Sequence, residues 1–402
     1  MLKLMRFYAP RGLRIVKGEN QYLWDDRGRR YLDCHTGYGV AFLGHRNPRV
    51  VEEIKRQLEK ITVLSPAFDT DIKEEATKLL EKILPSHLTY FYLLNSGSEA
   101  VELALKTARR TTGRSKFISF INAFHGRTMG ALSVTWNPRY RANYDPFPWE
   151  IEFLPYDDVE AVEHSVDEEV AGVIVEPVQG EGGLSVASRD FLKAIRERCD
   201  ETGAVMIVDE VQSGFGRTGV LWAYQRAGVQ PDILVAGKSL GGGFPVSLVA
   251  VREDLGERMG AGSHGSTYGG NPLALAAVKG SIRTLLEEGV TDKARASGEE
   301  LGRMLEKVVE ENPEIARATR GMGLMRGIEL RTNPTPVIRK LQGEGVLALK
   351  AGLTIVRLLP PYMISLEDIK LLEEKFNKIF EIVKESMLKR VGRHRFAEAK
   401  NE

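Results

Sequence analysis

Four short apolar runs in this 402-residue chain end in polar groups suited to chemistry. Residues 90–94 lead into Asn95-Ser96-Gly97-Ser98-Glu99, where a helical pattern begins. A glycine that admits close backbone approach, serine hydroxyls and the positive end of a helix together suit a phosphate. The same residues also read as a plain N-cap with a capping box, Ser96 with Glu99. Residues 171–175 precede Glu176-Pro177-Val178-Gln179-Gly180-Glu181-Gly182-Gly183, two acids in a glycine-rich loop that are either catalytic or solvated. Residues 205–208 end in Asp209-Glu210-Val211-Gln212. An acid after a buried run is costly to ionise without a cationic partner. A protonated pyridine nitrogen is one such partner; an Asp that caps the next helix is the other reading. Residues 233–236 end in Gly237-Lys238-Ser239, with Gly241-Gly242-Gly243 close behind. Desolvation there would lower the lysine pKa and make it a Schiff-base nucleophile, unless the stem packs and the head reaches water.

Other patterns lead elsewhere and fail. Gly214-Phe215-Gly216-Arg217-Thr218-Gly219 has the spacing of a dinucleotide fingerprint, but residues 209–213 separate it from the strand. Gly237-Lys238-Ser239 resembles the end of a P-loop, but Asp232 stands where the first glycine is required. The seven histidines show no metal-ligand spacing and no cysteine pair assists them, so no metal is expected. His125 and His264 read as hydrogen-bonding scaffold residues. No nucleophile-elbow motif marks a Ser-His-acid arrangement.

The elements that must position these groups alternate. Residues 116–120 form a further buried run, and 191–201 a helix between two of the strands. This order predicts an α/β fold: a mostly parallel sheet with helices on both faces, and ligands at the carboxyl ends of the strands. Helices are expected over 48–62, 71–84 and 99–110, and short strands over 18–34 around Asp25-Asp26-Arg27-Gly28. An Ala- and Leu-rich helix follows Pro272 to about residue 288. Charged helices with short strands at 323–330 and 354–358 then suggest a smaller α+β domain. The expected division is an N-terminal segment, 1–47, joining the small domain; a large domain, 48–285; and the small domain proper, 286–402. The basic tail from Lys389 is expected to fray.

Hydrophobic residues at 43% and charged residues at 28% describe an ordinary globular chain, and its length suffices for a large core without staples. The net charge of +1 argues neither for nor against nucleic acid; no nucleic acid partner is expected. Cys34 and Cys199 lie far apart and give no disulfide framework, which fits a reducing compartment. No apolar stretch reaches membrane-spanning length, and residues 1–14 lack a secretory pattern. The reading is a cytoplasmic protein without a membrane partner.

Taken in order, the motifs resemble the class III aminotransferases, of the fold-type I pyridoxal-phosphate enzymes. The matching stretches are Asn95 to Ala100, Phe124-His125-Gly126-Arg127-Thr128, Glu176 to Gly182, Asp209 to Arg217, Gly237-Lys238, His264 to Pro272, and Arg357-Leu358-Leu359-Pro360-Pro361. The resemblance covers nearly the whole chain. It implies a large domain with a mostly parallel central sheet, a smaller α+β domain, and pyridoxal 5'-phosphate as cofactor. It implies that Lys238 carries the cofactor and moves the substrate proton. Asp209 would pair with the pyridinium nitrogen, Gln212 with the phenolic oxygen, and Phe124 with the ring face. Gly97 and Ser98 would hold the phosphate, joined by Thr267 from the partner of a homodimer. Arg357 would grip a carboxylate of glutamate, and Glu181 would neutralise that arginine when an ω-amine is bound. Arg127 and Ser266 match substrate contacts of the acetylornithine branch.

Within the family the chain is similar to the acetylornithine and acetyl-lysine type. The similarity extends to archaeal enzymes of lysine and arginine synthesis that act on an intermediate tethered to an amino-group carrier protein, LysW. The stretches that carry this are His35-Thr36-Gly37, Val40 to Pro48, Ser133 to Asn137, and Leu349 to Gly352. Two departures stand out. Ser98 replaces a common Thr and keeps the hydroxyl. Tyr38 lies where ornithine aminotransferases place a substrate-contacting tyrosine, which keeps free ornithine open as a substrate. An acidic carrier would need basic residues at the pocket mouth, for which Arg127, Arg139, Arg141 and Lys350 are candidates beside the reading of scattered surface charge. The expected reaction is a ping-pong exchange of a terminal amino group between a lysine or ornithine derivative and 2-oxoglutarate/glutamate. Alternatives are a free ornithine or 4-aminobutyrate aminotransferase, and an amino-acid racemase on the same fold.

Overall fold

A computed structural model describes residues 2–398, with side chains as far as Glu385. Three short antiparallel strands, β1 (Ile15–Glu19), β2 (Tyr22–Asp25) and β3 (Arg30–Asp33), open the chain. Seven strands then build the central sheet: β4 (Tyr90–Leu94), β5 (Lys116–Phe120), β6 (Glu150–Leu154), β7 (Val170–Val175), β8 (Val205–Asp209), β9 (Ile233–Ala236) and β10 (Ser247–Val251). Their order is β4-β10-β9-β8-β7-β5-β6. The neighbours from β9 to β6 are parallel, and β10 runs antiparallel to both β9 and β4.

Burial explains why the central strands read as unbroken apolar runs. Every residue of β7, β8 and β9 is buried, because helices cover both faces and no position faces water. Two strands of the central sheet escape the sequence reading. β10 (SLVAV) is equally buried but antiparallel, which no apolar run can disclose. β6 (EIEFL) lies at the sheet edge, where charged residues are tolerated and mask the strand.

The chain leaves β5 for β6 on one side and returns to β7 on the other. The loops after β5 and β7 therefore open at a topological switch point, the place where open α/β sheets bind ligands. The helix Gly97–Thr112 follows β4 with its N-terminus at the same carboxyl end. The helices Pro48–Leu58 and Asp71–Leu80 end a few residues short of the expected limits. Pro48–Leu58 lies so close to Pro272–Glu287 that a Cβ built on Gly280 would sit 2.7 Å from Val50 Cα.

The C-terminal third contributes β11 (Ala316–Met322), β12 (Met325–Leu330), β13 (Val346–Leu347), β14 (Leu349–Ala351) and β15 (Ile355–Leu358). Strands β11-β12-β15-β14 form an antiparallel sheet, whereas β13 pairs in parallel with β3 at the start of the chain. Leu359 N–H donates to Cys34 O (2.8 Å) and Tyr362 N–H to Phe42 O (3.0 Å), so the N-terminal segment is stitched to the C-terminal third. The last helix, Leu366–Glu398, runs on through most of the tail that was expected to fray; residues 399–402 lie outside the described residues. Among the described residues no helix is long and apolar enough to cross a membrane, and no group of three His, Cys, Asp or Glu side chains could hold a metal ion.

Candidate active site

Strand ends bring the predicted residues together. Asp209 is the last residue of β8 and is buried. Its Oδ1 accepts from Val211 N–H (3.0 Å), and its Oδ2 lies 2.7 Å from His125 Nδ1. His125 comes from the loop after β5, and its Nε2 is buried without a partner among the described residues. The imidazole thus holds the carboxylate from one side, and both side chains are buried.

Lys238 follows β9 with its backbone at φ 45°, a left-handed conformation that side chains with a Cβ rarely adopt. Burial lowers its pKa to about 8. Glu181, Asp209 and Glu176 pull the value back up and Arg357 pushes it further down, so all four charges act on this amine.

The helix Gly97–Thr112 arrives over the same floor. A Cβ on Gly97 would lie 2.9 Å from Val211 Cγ1, and one on Gly237 3.5 Å from the same methyl, so Val211 separates the helix N-terminus from the strand end that carries Lys238. The capping box is present: Ser96 Oγ accepts from Glu99 N–H and Glu99 Oε2 from Ser96 N–H. It does not exclude the anion site. The box uses the amides of Ser96 and Glu99, and leaves those of Gly97 and Ser98 without an acceptor among the described residues. Ser98 Oγ accepts from Arg127 N–H (3.1 Å), and a Cβ on Gly126 would overlap that same oxygen. The Phe124–Arg127 loop therefore presses directly on the helix start.

Two loops are joined by one acid. Glu176 accepts from Phe124 N–H (2.9 Å) through Oε2 and from Gly180 N–H (3.1 Å) through Oε1. Burial pushes its carboxyl up to about 7. The sequence flagged Glu176 without a role. Its signal was the one used for Asp209, an acid directly after a fully buried strand.

Arg357, from β15, is fully buried and meets the loop after β7. It donates to Gly180 O (2.6 Å), Gln212 Oε1 (2.9 Å) and Glu181 Oε1 (2.7 Å). Burial raises the Glu181 pKa, but Arg357, Lys238 and Gln212 together bring it below the ordinary value. Gln212 is bound into this ion pair. Tyr38 packs its ring 4.7 Å from His35 and 5.8 Å from Tyr8, and its hydroxyl feels Glu181 and Arg357. Tyr8 and His35 were not anticipated at the site.

The remaining predicted residues make contacts of their own outside this cluster. Phe124 is half-buried, with Tyr140 edge-on at 6.1 Å. The Arg127 guanidinium is exposed and stacks 3.3 Å from the Tyr140 centroid. Ser266 Oγ accepts from Asn95 Nδ2 (3.3 Å) and Gly269 N–H (2.9 Å), near the helix start, and Thr267 beside it is exposed. Arg139 and Lys350 are exposed, whereas Arg141 is half-buried between the rings of Phe147 and Phe153. His264 lies 3.1 Å from Lys106 and outside the cluster around Lys238.

The side chains fit pyridoxal phosphate on chemistry alone. They offer two free helix amides for a phosphate, a buried carboxylate for a cationic ring nitrogen, and a desolvated amine for an aldehyde. The fold and this site define a pyridoxal-phosphate aminotransferase, and the chain belongs to the class III aminotransferase family, whose model matches residues 7–380. It is 50% identical to a protein of Sulfolobus acidocaldarius named LysW-aminoadipate semialdehyde/glutamate semialdehyde transaminase, over 96% of this chain and 98% of that one. It is 42% identical to an acetylornithine aminotransferase of Methanopyrus kandleri, over 91% and 94%. Among solved structures, an ornithine aminotransferase of Toxoplasma gondii with partial occupancy of PLP at its active site superposes with a TM-score of 0.90 at 34% identity, over 95% of this chain and 92% of that one.

Proposed function

We propose that this aminotransferase exchanges the terminal amino group of a lysine or ornithine derivative, carried on LysW or N-acetylated, with 2-oxoglutarate/glutamate by a ping-pong route in lysine or arginine synthesis. The observation that carries the reading is the Arg357–Glu181 pair beside Lys238. A buried guanidinium suits the carboxylate of glutamate, and a neighbouring acid can cancel it when an uncharged chain is bound. The relatives' names point to the same substrates.

Bound pyridoxal phosphate supplies an aldehyde that takes up the amino group and a ring that withdraws electrons from the adjacent carbon. Gly97 and Ser98 hold its phosphate, with Thr267 of the second copy in a homodimer. Phe124 covers the ring face, and Glu176 fixes the Phe124 backbone. Asp209, steadied by His125, keeps the ring nitrogen protonated. The Lys238 amine would take the proton from the substrate carbon and give it back on the far side of the amino nitrogen; its lowered pKa would suit both transfers. Gln212 turns its amide toward the phenolic oxygen. Arg127, Ser266 and Tyr38 line the amine side.

The stitching of the first strands to the last third supports the division into residues 1–47 with 286–402 against 48–285. Exposed Arg127, Arg139 and Lys350, with Arg141 less accessible, support docking of an acidic carrier at the mouth. The same reading places the enzyme in the cytoplasm. Tyr38 favours free ornithine as the second reading.

A single-turnover absorbance assay separates these. The cofactor-loaded protein receives glutamate, carrier-bound lysine, free acetylornithine or free ornithine in turn. Fast loss of the visible band with glutamate and with the carrier-bound amine supports the proposal. Equal rates with free ornithine replace the carrier reading. Sustained turnover with 2-oxoglutarate withheld identifies a racemase, because a transaminase stops after one half-reaction.

A further inference from the structure

Arg217 is fully buried, yet no carboxylate meets it among the described residues. Among the described residues its guanidinium donates only to backbone carbonyls: Nη1 to Leu324 O (3.2 Å) and Pro360 O (2.5 Å), and Nη2 to Gly39 O (3.2 Å). The Phe42 ring lies under it at 4.2 Å. Burial drags its pKa down to about 9. A desolvated cation with neutral partners is an expensive way to fill a core. A leucine or methionine would serve if filling were the task.

Its acceptors explain its presence. Gly39 closes a run of four positive φ values: Thr36 at 46°, Gly37 at 59°, Tyr38 at 62° and Gly39 at 92°. Left-handed backbone is disfavoured for Thr and Tyr, so this turn persists only if its surroundings enforce it. The enforcement is visible at both ends. Asp33 Oδ1 accepts from His35 N–H and Thr36 N–H, both 2.9 Å, and Thr36 Oγ1 donates to Leu359 O (2.6 Å). Gly39 O accepts from Arg217 and also from Ser239 Oγ (3.3 Å), next to Lys238. The Pro360 carbonyl that Arg217 holds lies just beyond β15, which carries Arg357. One guanidinium therefore joins the turn bearing Tyr38, the end of the strand bearing Arg357 and the hairpin at Leu324.

We propose that Arg217 is a positioning residue that locks the left-handed turn Thr36–Gly39 and so sets Tyr38 as the wall that selects the amine substrate. This rests on the reading of Tyr38 as an amine-side contact. A point-charge lysine cannot span three carbonyls as the planar fork does. Arg217→Lys therefore loosens the turn while it keeps the charge.

The test measures both half-reactions by single turnover, with glutamate and with the amine substrate, in Y38A, R217K, the double variant and T36V. The last cuts a second tether of the turn, Thr36 Oγ1 to Leu359 O, without touching the buried cation. Y38A is expected to raise the apparent dissociation constant for the amine by roughly tenfold or more, the scale of a lost pocket contact, and to leave glutamate almost unchanged. R217K and T36V are expected to show the same selective rise. The double variant should be no worse than Y38A alone, because coupled residues are not additive. A selective Y38A beside an R217K that slows both half-reactions equally, or additive losses in the double variant, overturns the role of Arg217 while the Tyr38 reading stands. A Y38A enzyme with wild-type behaviour toward the amine overturns both. If R217K does not fold, T36V decides: equal losses in both half-reactions overturn the proposal.

Discussion

Replacing Glu181 with alanine should make the enzyme better at one half of its reaction and worse at the other. In the free enzyme Glu181 Oε1 occupies one arm of the Arg357 guanidinium at 2.7 Å, while Gly180 O and Gln212 Oε1 take the other. A glutamate carboxylate must displace Glu181 to reach that arm. Arg357 is fully buried, but the Glu181 side chain is 27% exposed, so the pair is worth less than a fully desolvated one. A competition of about 1–2 kcal/mol follows, or roughly 5- to 30-fold in kcat/KM. E181A should gain by that factor with glutamate. It should lose by a similar factor with the terminal amine, whose approach then leaves the guanidinium uncompensated. The ratio of the two half-reactions would shift by roughly 25- to 900-fold. The assay is single-turnover loss of the visible band of the bound cofactor with each substrate. Equal changes in both half-reactions, or weaker use of glutamate, would refute the idea that Glu181 competes for Arg357.

Further outcomes follow from other parts of the site and core. Uptake of pyridoxal phosphate by the apo-chain should accelerate as pH rises through about 8 and level off above, because Lys238 is protonated below that value. An unfolded lysine stays protonated to higher pH, so between those values the unfolded chain binds more protons and this group's contribution to stability rises with pH; an uptake rate flat from pH 7 to 9 would contradict the assignment. Asp209→Asn should slow both half-reactions on the order of 10²-fold, the scale of a lost preorganised charge contact, and a change of only a few-fold would dissociate Asp209 from the ring nitrogen. Gly280→Ala forces a Cβ to 2.7 Å from Val50 Cα and 2.9 Å from Arg49 O, so denaturant melts should show a loss of about 1–3 kcal/mol. An unchanged midpoint would mean that the two helices part easily.

Much of this architecture is legible in the chain. The runs that became β7, β8 and β9 are apolar at every position because both their faces are covered, and that leaves a one-dimensional trace. Gly97, Ser98, Asp209 and Lys238 sit at or within a few residues of the ends of their strands, so local order located them. The antiparallel direction of β10 left no such trace, since antiparallel and parallel strands can bury the same residues. Edge strand β6 was hidden by glutamates that only an edge can bear. The pair Ser96–Glu99 gave two readings on the page, and in space both coexist because the capping box leaves two amides free.

Residue types, their spacing and the order of strands and helices belong to the sequence by itself: the family resemblance, and Lys238 and Asp209 as candidate site residues, rest on those motifs. Tertiary structure alone decided who meets whom. His125 reaches Asp209 across 84 residues, and Arg217 gathers carbonyls from three distant segments, whereas the Arg357–Glu181 pair was expected from the resemblance. The reason is physical. Helix and strand patterns repeat over a few residues and write themselves along the chain, whereas the partner of a buried charge is chosen by whichever loops the finished sheet brings to one edge.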